Sequence, residues 1–325
     1  MMFKKYVRTT WWWPPALVLV CGPFAGCRMG VPIHVWQPPT LESTVGKRVA
    51  VAEVTGPAEI ARAVQEGLIK EAPSDPGRAT RLIPANELQS KTSIQLVNFI
   101  DEQPSDVALA AIAGSEGYDF MLQGHVLQAF DPTGGQERDQ RLSLSWRLVS
   151  LADKRSAGGQ PLVIDYETAI ERYPDLGVIA DRQTAMAMAA SRRTMELITP
   201  SVQRDRIQLA IPYLLPGSKQ VREGNLAAMA GRWDEARRIW GHVAERHPTQ
   251  VAALHNLAIA EAAAQNFSLA KQLARKAIRR QPTKLHQQTL VWIELRQRDY
   301  HRSFGLPDPP EGWFLTQSPV RIDSQ

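Results

Sequence analysis

Two neighbouring stretches of this chain, residues 217–250 and 251–284, overlay without a gap at a spacing of 34 residues. In that overlay Ala236 falls on Ala270, Trp240 on Ala274 and Pro248 on Pro282. Each stretch divides at a turn, Gly231-Arg232 in the first and Gln265-Asn266 in the second. Each ends at its proline, which lacks the amide donor a continuing helix requires. A repeat of this length, with apolar residues at helical spacing on both sides of the turn, predicts a helix pair that cannot bury its apolar face alone and must stack on its neighbour. Gly224 and Ala258 occupy the small-residue position where the two helices of a pair approach closely. Residues 285–298, with Leu290, Ile293 and Leu295, supply one more amphipathic helix to cap the open end.

The 34-residue period, the matched prolines and the matched small sites resemble the tetratricopeptide repeat. That resemblance implies a concave groove lined by the first helix of each pair, here through Val221, Asn225, Ala228, His255, Ile259 and Ala262. These residues are mostly small or apolar, so the expected occupant is a peptide segment, extended or helical. The Lys and Asn set with which such repeats clamp a carboxylate terminus is absent from the groove. Lys271, Arg275, Lys276, Arg279 and Arg280 form a basic strip on the second helix of the second unit. Its default reading is a solvated outer face; the sharper one is contact with anionic headgroups or an acidic partner. Tyr213, Leu214 and Leu215 are expected to pack at the junction with the preceding domain, and the end of a short strand is equally consistent.

The other end of the chain reads as a leader. A basic start, MMFKKYVR, is followed by an apolar middle and then small residues before a cysteine. The uninterrupted aliphatic run covers only residues 16–20, and Pro14, Pro15 and Pro23 break the segment, so it falls short of the ~20 apolar residues of a membrane span. Phe24-Ala25-Gly26-Cys27 resembles the lipobox of bacterial lipoproteins, with Phe24 in place of the usual Leu. The resemblance implies cleavage of a signal peptide, residues 1–26, and acylation of Cys27, with palmitate-type chains holding the protein on a membrane. Arg28 follows the cysteine where an Asp would retain the protein at the inner membrane, which implies the outer membrane, facing the periplasm. Prolines at 32, 38 and 39 predict an extended tether over residues 27–46. Cys21 and Cys27 are the chain's two cysteines, so its body has no disulfide and no thiol ligand.

Between leader and repeats, residues 47–216 alternate strand and helix patterns. Strands are expected at 48–54, 80–84, 118–130, 141–151, 161–166 and 206–210, and helices after Pro57, at 106–115 and at 182–198. The fold class is therefore an α/β N-terminal sandwich of about six strands and three helices, followed by an all-α helical-repeat module and an irregular tail, 301–325, carrying Trp313 and Phe314. The run RVAVAEV, a helix, DVALAAIAGSEGYDFMLQGHVLQ and a strand ending in LADKRSAG resembles the domain of curli-secretion CsgG-like proteins and penicillin-binding-protein activator lipoproteins. That resemblance implies assembly or regulation through protein contacts and no catalysis.

No catalytic residue, metal site or cofactor is expected. Patterns such as His-Glu-x-x-His, Gly-x-Ser-x-Gly or a phosphate loop do not occur. Asp119, His125, Asp165 and Glu167 are the polar residues from which a site in the first domain would have to be built, and each has a plainer reading, Asp119 in the turn before a strand and His125 as a solvent-facing or core imidazole within one. The net charge of +5 includes the leader, and the excess elsewhere lies in the repeats, so it does not announce nucleic acid. The expectation is a lipid-anchored envelope adaptor with protein partners. The alternatives are a subunit of a CsgG-like secretion or assembly complex, whose membrane hairpin would fall within residues 128–166, and a hydrolase of unknown substrate.

Overall fold

The computed structural model describes residues 29–72, 81–84, 87, 106–129 and 141–315. The expected signal peptide and the acylation site at Cys27 lie outside the described residues.

The α/β part is built on a sheet of five strands: β2 (Arg48–Val51), β3 (Arg81–Pro84), β4 (Phe120–Gln128), β5 (Arg141–Ser150) and β6 (Ser156–Asp165), in the order β3-β2-β4-β5-β6. β2 pairs in parallel with β3 and β4, and β4, β5 and β6 run antiparallel. Its first helix, α1 (Ala58–Lys70), buries Ile60, Val64 and Leu68 at helical spacing. α2 is Asp106–Ser115, α3 is Tyr166–Arg172 and α4 is Arg182–Ile198. α1 and α4 cover one face of the sheet, where alternation along β5 buries Leu142, Leu144, Trp146 and Leu148. α2 covers the other face near β2 and β4, against Ala50, Ile83 and Met121. A side chain at Gly124 is excluded by Trp146, because a Cβ there would lie 2.4 Å from the indole.

Residues 128–166, the region that a membrane hairpin would need, are in their described part mainly β5, whose alternate residues enter the core, and the edge strand β6. Among the described residues, no helix is long and apolar enough to cross a membrane.

The C-terminal part is a stack of α5 (Ser218–Met229), α6 (Trp233–Arg246), α7 (Val251–Ala263), α8 (Phe267–Arg280) and α9 (Lys284–Phe304). Boundaries follow the expected turns. α9 continues six residues beyond the expected cap, through Phe304. At the close approach of α5 and α6, a Cβ on Gly224 would sit 2.4 Å from the Trp240 Nε1. That nitrogen donates to the Val221 carbonyl at 3.1 Å. In the second unit the same positions are Ala258 and Ala274, both buried. A glycine against a tryptophan and an alanine against an alanine are two ways of filling one gap.

One expectation is overturned. The stretch read as a tether contains a nine-residue strand, β1 (Met29–Gln37), paired antiparallel with β7 (Ser201–Leu209) in a ribbon separate from the sheet. Proline at 32 and the distant partner hid it, since an edge strand tolerates proline and local pattern does not name a partner. The sheet accordingly has five strands, and the strand expected at 206–210 belongs to the ribbon. The expected helices at 106–115 and 182–198 occur as drawn.

Gly224→Ala is expected to destabilise the protein by roughly 1–3 kcal/mol through overpacking against Trp240, although alanine is the better helix former by about 1 kcal/mol. Urea denaturation reads the difference; a midpoint at or above that of the parent chain would show that the indole has room to move.

Candidate functional site

A concave face lined by first helices is where the repeat pattern points. The six residues expected to line it, Val221, Asn225, Ala228, His255, Ile259 and Ala262, are all buried. The occupant is the chain's own ribbon. Alternation along β1 turns Val31, Ile33 and Val35 toward the helices, and Ile207 and Leu209 join them from β7. These side chains share one apolar cluster with Val221, Ala228, Ala253 and Ile259.

The groove also reads backbone. The Asn256 Oδ1 accepts from the Ala210 amide at 2.9 Å, and its Nδ2 donates to the Ala210 carbonyl at 3.0 Å and to the Asn225 Oδ1 at 2.7 Å. The Asn225 Nδ2 donates to the same carbonyl at 3.0 Å. His255 Nε2 donates to the Gln208 carbonyl at 3.2 Å. Side-chain amides meeting a main-chain amide and carbonyl form a site for an extended segment of any sequence, while the apolar alternation supplies the selection. At the far end of the groove the Asp205 carboxylate, which points inward, accepts from Trp292 Nε1 at 3.0 Å. A peptide from another protein therefore finds the groove closed, and the expected free binding site is corrected to a seat for β1 and β7. Asn256 and Asp205 went unnoticed in the sequence; Asn256 stood one residue beyond His255, and the alternation of Val31, Ile33 and Val35 was the available signal for the occupant.

His255 and His286 stack with ring centroids 4.9 Å apart beneath the ribbon. His286 Nδ1 donates to the Gln281 carbonyl at 2.7 Å. Burial, with a smaller contribution from the neighbouring His286, pushes the His255 imidazole down to about 3, and burial also lowers His286. Both rings are neutral donors in the folded chain at neutral pH.

The basic strip does not form one solvated face. Lys271 is buried, 2.7 Å from the Glu311 carboxylate of the tail. Arg275 stacks 3.6 Å from the ring centre of Phe314. Hydrogen bonds from Lys271 above all hold the Glu311 carboxyl at about 2. Lys276 is half-buried, and Arg279 and Arg280 remain exposed at the end of α8. The aromatic pair brings the tail back onto the stack: the Trp313 ring lies 5.1 Å from the Arg298 guanidinium.

The polar residues of the first domain are dispersed. Asp119 accepts from the Arg48 amide at 2.9 Å at the start of β4. His125 meets the Thr55 hydroxyl at 2.7 Å. Asp165 caps α3 by accepting from the Thr168 amide at 2.8 Å, and Glu167 lies in the first turn of that helix. Among the described residues no three His, Cys, Asp or Glu side chains converge as a metal site. An open cleft of about 1020 Å³ runs beside α5, α6, α7 and the start of α8, lined by charges of both signs that include Glu223, Asp234, Arg237, Arg238 and Glu261.

No family model matches the chain, and no curated protein matches it. Among solved structures the similarities are distant. The PelC dodecamer from Paraburkholderia phytofirmans is similar at 12% identity over 52% of this chain and 98% of that one, with a TM-score of 0.27. The LpoB C-terminal domain from Escherichia coli is similar at 16% identity over 38% of this chain and 84% of that one, with a TM-score of 0.24. A hypothetical protein from Chlamydia trachomatis is similar at 14% identity over 47% and 92% of the two chains, with a TM-score of 0.27.

Two outcomes follow from the groove. Asn256→Ala is expected to cost about 1–3 kcal/mol for each buried partner it orphans and to speed amide exchange at Ala210, with slow exchange there counting against the clamp. Because the folded-state His255 value lies below the unfolded one, protonation favours the unfolded chain as pH falls below about 6.5. At one pKa unit per 1.36 kcal/mol, moving from pH 7 to pH 5 is expected to remove about 2 kcal/mol. His255→Gln should flatten that slope in denaturation curves, and an equally steep slope would assign the effect elsewhere.

Proposed function

We propose that the chain is a lipid-anchored adaptor of the bacterial envelope, acylated at Cys27, whose helical stack is of the tetratricopeptide type and whose role is to hold protein partners rather than to catalyse a reaction. The observation that carries this reading is the ribbon in the groove. Its strands flank the α/β domain in the chain, so seating them between α5, α7 and α9 fixes that domain to the helical stack at two chain crossings. Such coupling serves a protein that presents two surfaces in a set geometry.

The repeats in this reading spend their concave face on internal assembly, and partners dock on what is left. The mixed-charge cleft along α6 suits a polar protein segment, and its breadth exceeds what one small ligand needs. At the edge of the sheet, Pro161 in β6 discourages uncontrolled strand addition. Acyl chains contribute about 0.8 kcal/mol per buried methylene, so several of them hold the body at the membrane without a protein span.

Photo-cross-linking residues placed at Arg238 in living cells are expected to yield an adduct with an envelope protein, identified by mass spectrometry. Failure to recover any such adduct, from this cleft or from the exposed face of β6, would overturn the adaptor reading. Cys27→Ala is expected to abolish incorporation of labelled palmitate and to release the chain from the membrane fraction.

A further inference from the structure

The stack of helices is finished at one end and open at the other. Toward the C-terminus, α9 and the tail cover α8, with Val291 and Leu295 of α9 each 41% exposed, whereas α5 and the loop before it begin the stack with five exposed apolar residues close together in sequence. Leu226 and Met229 are exposed, and Arg222, Leu226 and Met229 lie at helical spacing on one stripe of α5. The loop before α5 adds Tyr213, Leu214 and Leu215, of which Leu214 is 96% exposed. Arg222 ties loop to helix: its guanidinium donates to the Pro212 carbonyl at 2.8 Å and lies 6.0 Å from the Tyr213 ring. The expected packing of 213–215 at the junction with the first domain is thus corrected: all three side chains are more than half exposed.

The register of the ribbon says where this surface lies. Met29 pairs with Leu209, and the loop starts directly after Leu209. Cys27 precedes Met29 by two residues, a reach of about 7 Å of extended chain. Leu214 follows Leu209 by five residues, about 18 Å at most. At the ribbon's other end Gln37 pairs with Ser201, and there the chain enters and leaves the α/β domain. A nine-residue strand spans about 30 Å. The ribbon thus sets the α/β domain at one pole and the exposed leucines at the pole where the chain leaves toward Cys27.

We propose that Tyr213, Leu214, Leu215, Leu226 and Met229 form a membrane-seating patch that enters the lipid interface beside the acylated cysteine. The proposal rests on acylation at Cys27. A body whose first strand starts two residues after its anchor has no slack to stand away from the bilayer, and the apolar patch is what it presents there. Arg222 lies beside the leucines as a cation for anionic headgroups, Lys219 stands one turn earlier opposite the Glu223 carboxylate at 4.0 Å, and Tyr213 has the amphipathic ring suited to the interface. The consequence is a fixed orientation: the helical stack lies against the membrane by its open end, and the sheet is held away from it.

The body has no thiol besides Cys27, so Leu214→Cys in the full acylated chain takes a single environment-sensitive dye. In vesicles of phosphatidylethanolamine and phosphatidylglycerol, the dye at 214 is expected to shift to the blue and to be quenched by nitroxide lipid but not by aqueous iodide. A control dye at Gln272→Cys, on an exposed position of α8, is expected to behave oppositely. Iodide quenching at 214 equal to the control, with Cys27 shown by mass spectrometry to be acylated, would overturn the patch and leave the anchor standing. Protection of the dye without vesicles, rising with protein concentration, would assign the surface to a second copy and equally overturn it. The Cys27→Ser chain separates the two ideas: added to the same vesicles it should float weakly, and Leu214→Asp with Leu226→Asp should reduce that flotation at least fivefold at unchanged thermal stability.

Discussion

Everything in this molecule is arranged around the burial of a two-stranded ribbon that has no independent means of support. An isolated pair of strands is marginal in water, and the faces of α5 and α7 that meet it are too apolar and too rich in amide side chains to be left open. Val31, Ile33 and Val35 supply the apolar surface, and Asn225, Asn256 and His255 satisfy main-chain groups at the strand's end. Ribbon and stack each complete the other. The α/β domain hangs between the strands as an insertion, and the entropy of closing so long a loop grows only with the logarithm of its length, so a single well-packed seat suffices.

How much of this was legible depended on range. The 34-residue period located the helices because its signals are local: a turn, a proline, a small residue opposite a large one. For the same reason α2 and α4 appear at their expected bounds. Short-range chemistry also explains α3, which was overlooked although Asp165 and Thr168 stand in capping relation. The ribbon is the opposite case. Its strands are separated by the whole first domain, and pairing between them is decided by the register and by helices that neither strand adjoins in sequence. His255 was placed on the correct face for the wrong occupant, since periodicity tells which side of a helix is buried but not by what.

Charge follows the same logic. The excess of basic groups in the stack invites a search for an acidic partner, and the partners of Lys271 and Arg275 turn out to lie in the chain's own tail, beyond α9, in Glu311 and Phe314. A strip of cations read from sequence is a statement about one element. Whether it faces water depends on what folds across it, here an irregular tail whose contacts carry no period at all.

The position of β1 imposes an order of assembly. It is the first described element of the chain to be made, yet its partner strand and the helices that receive it come from the far end of the polypeptide. Until Leu209, and then α5, α7 and α9, have emerged, Val31, Ile33 and Val35 have nowhere to go, and an apolar strand with open edges is the kind of segment that pairs with strangers. Biogenesis of this protein therefore includes an interval, set by the time needed to deliver the rest of the chain, in which its first strand has no partner of its own to cover it.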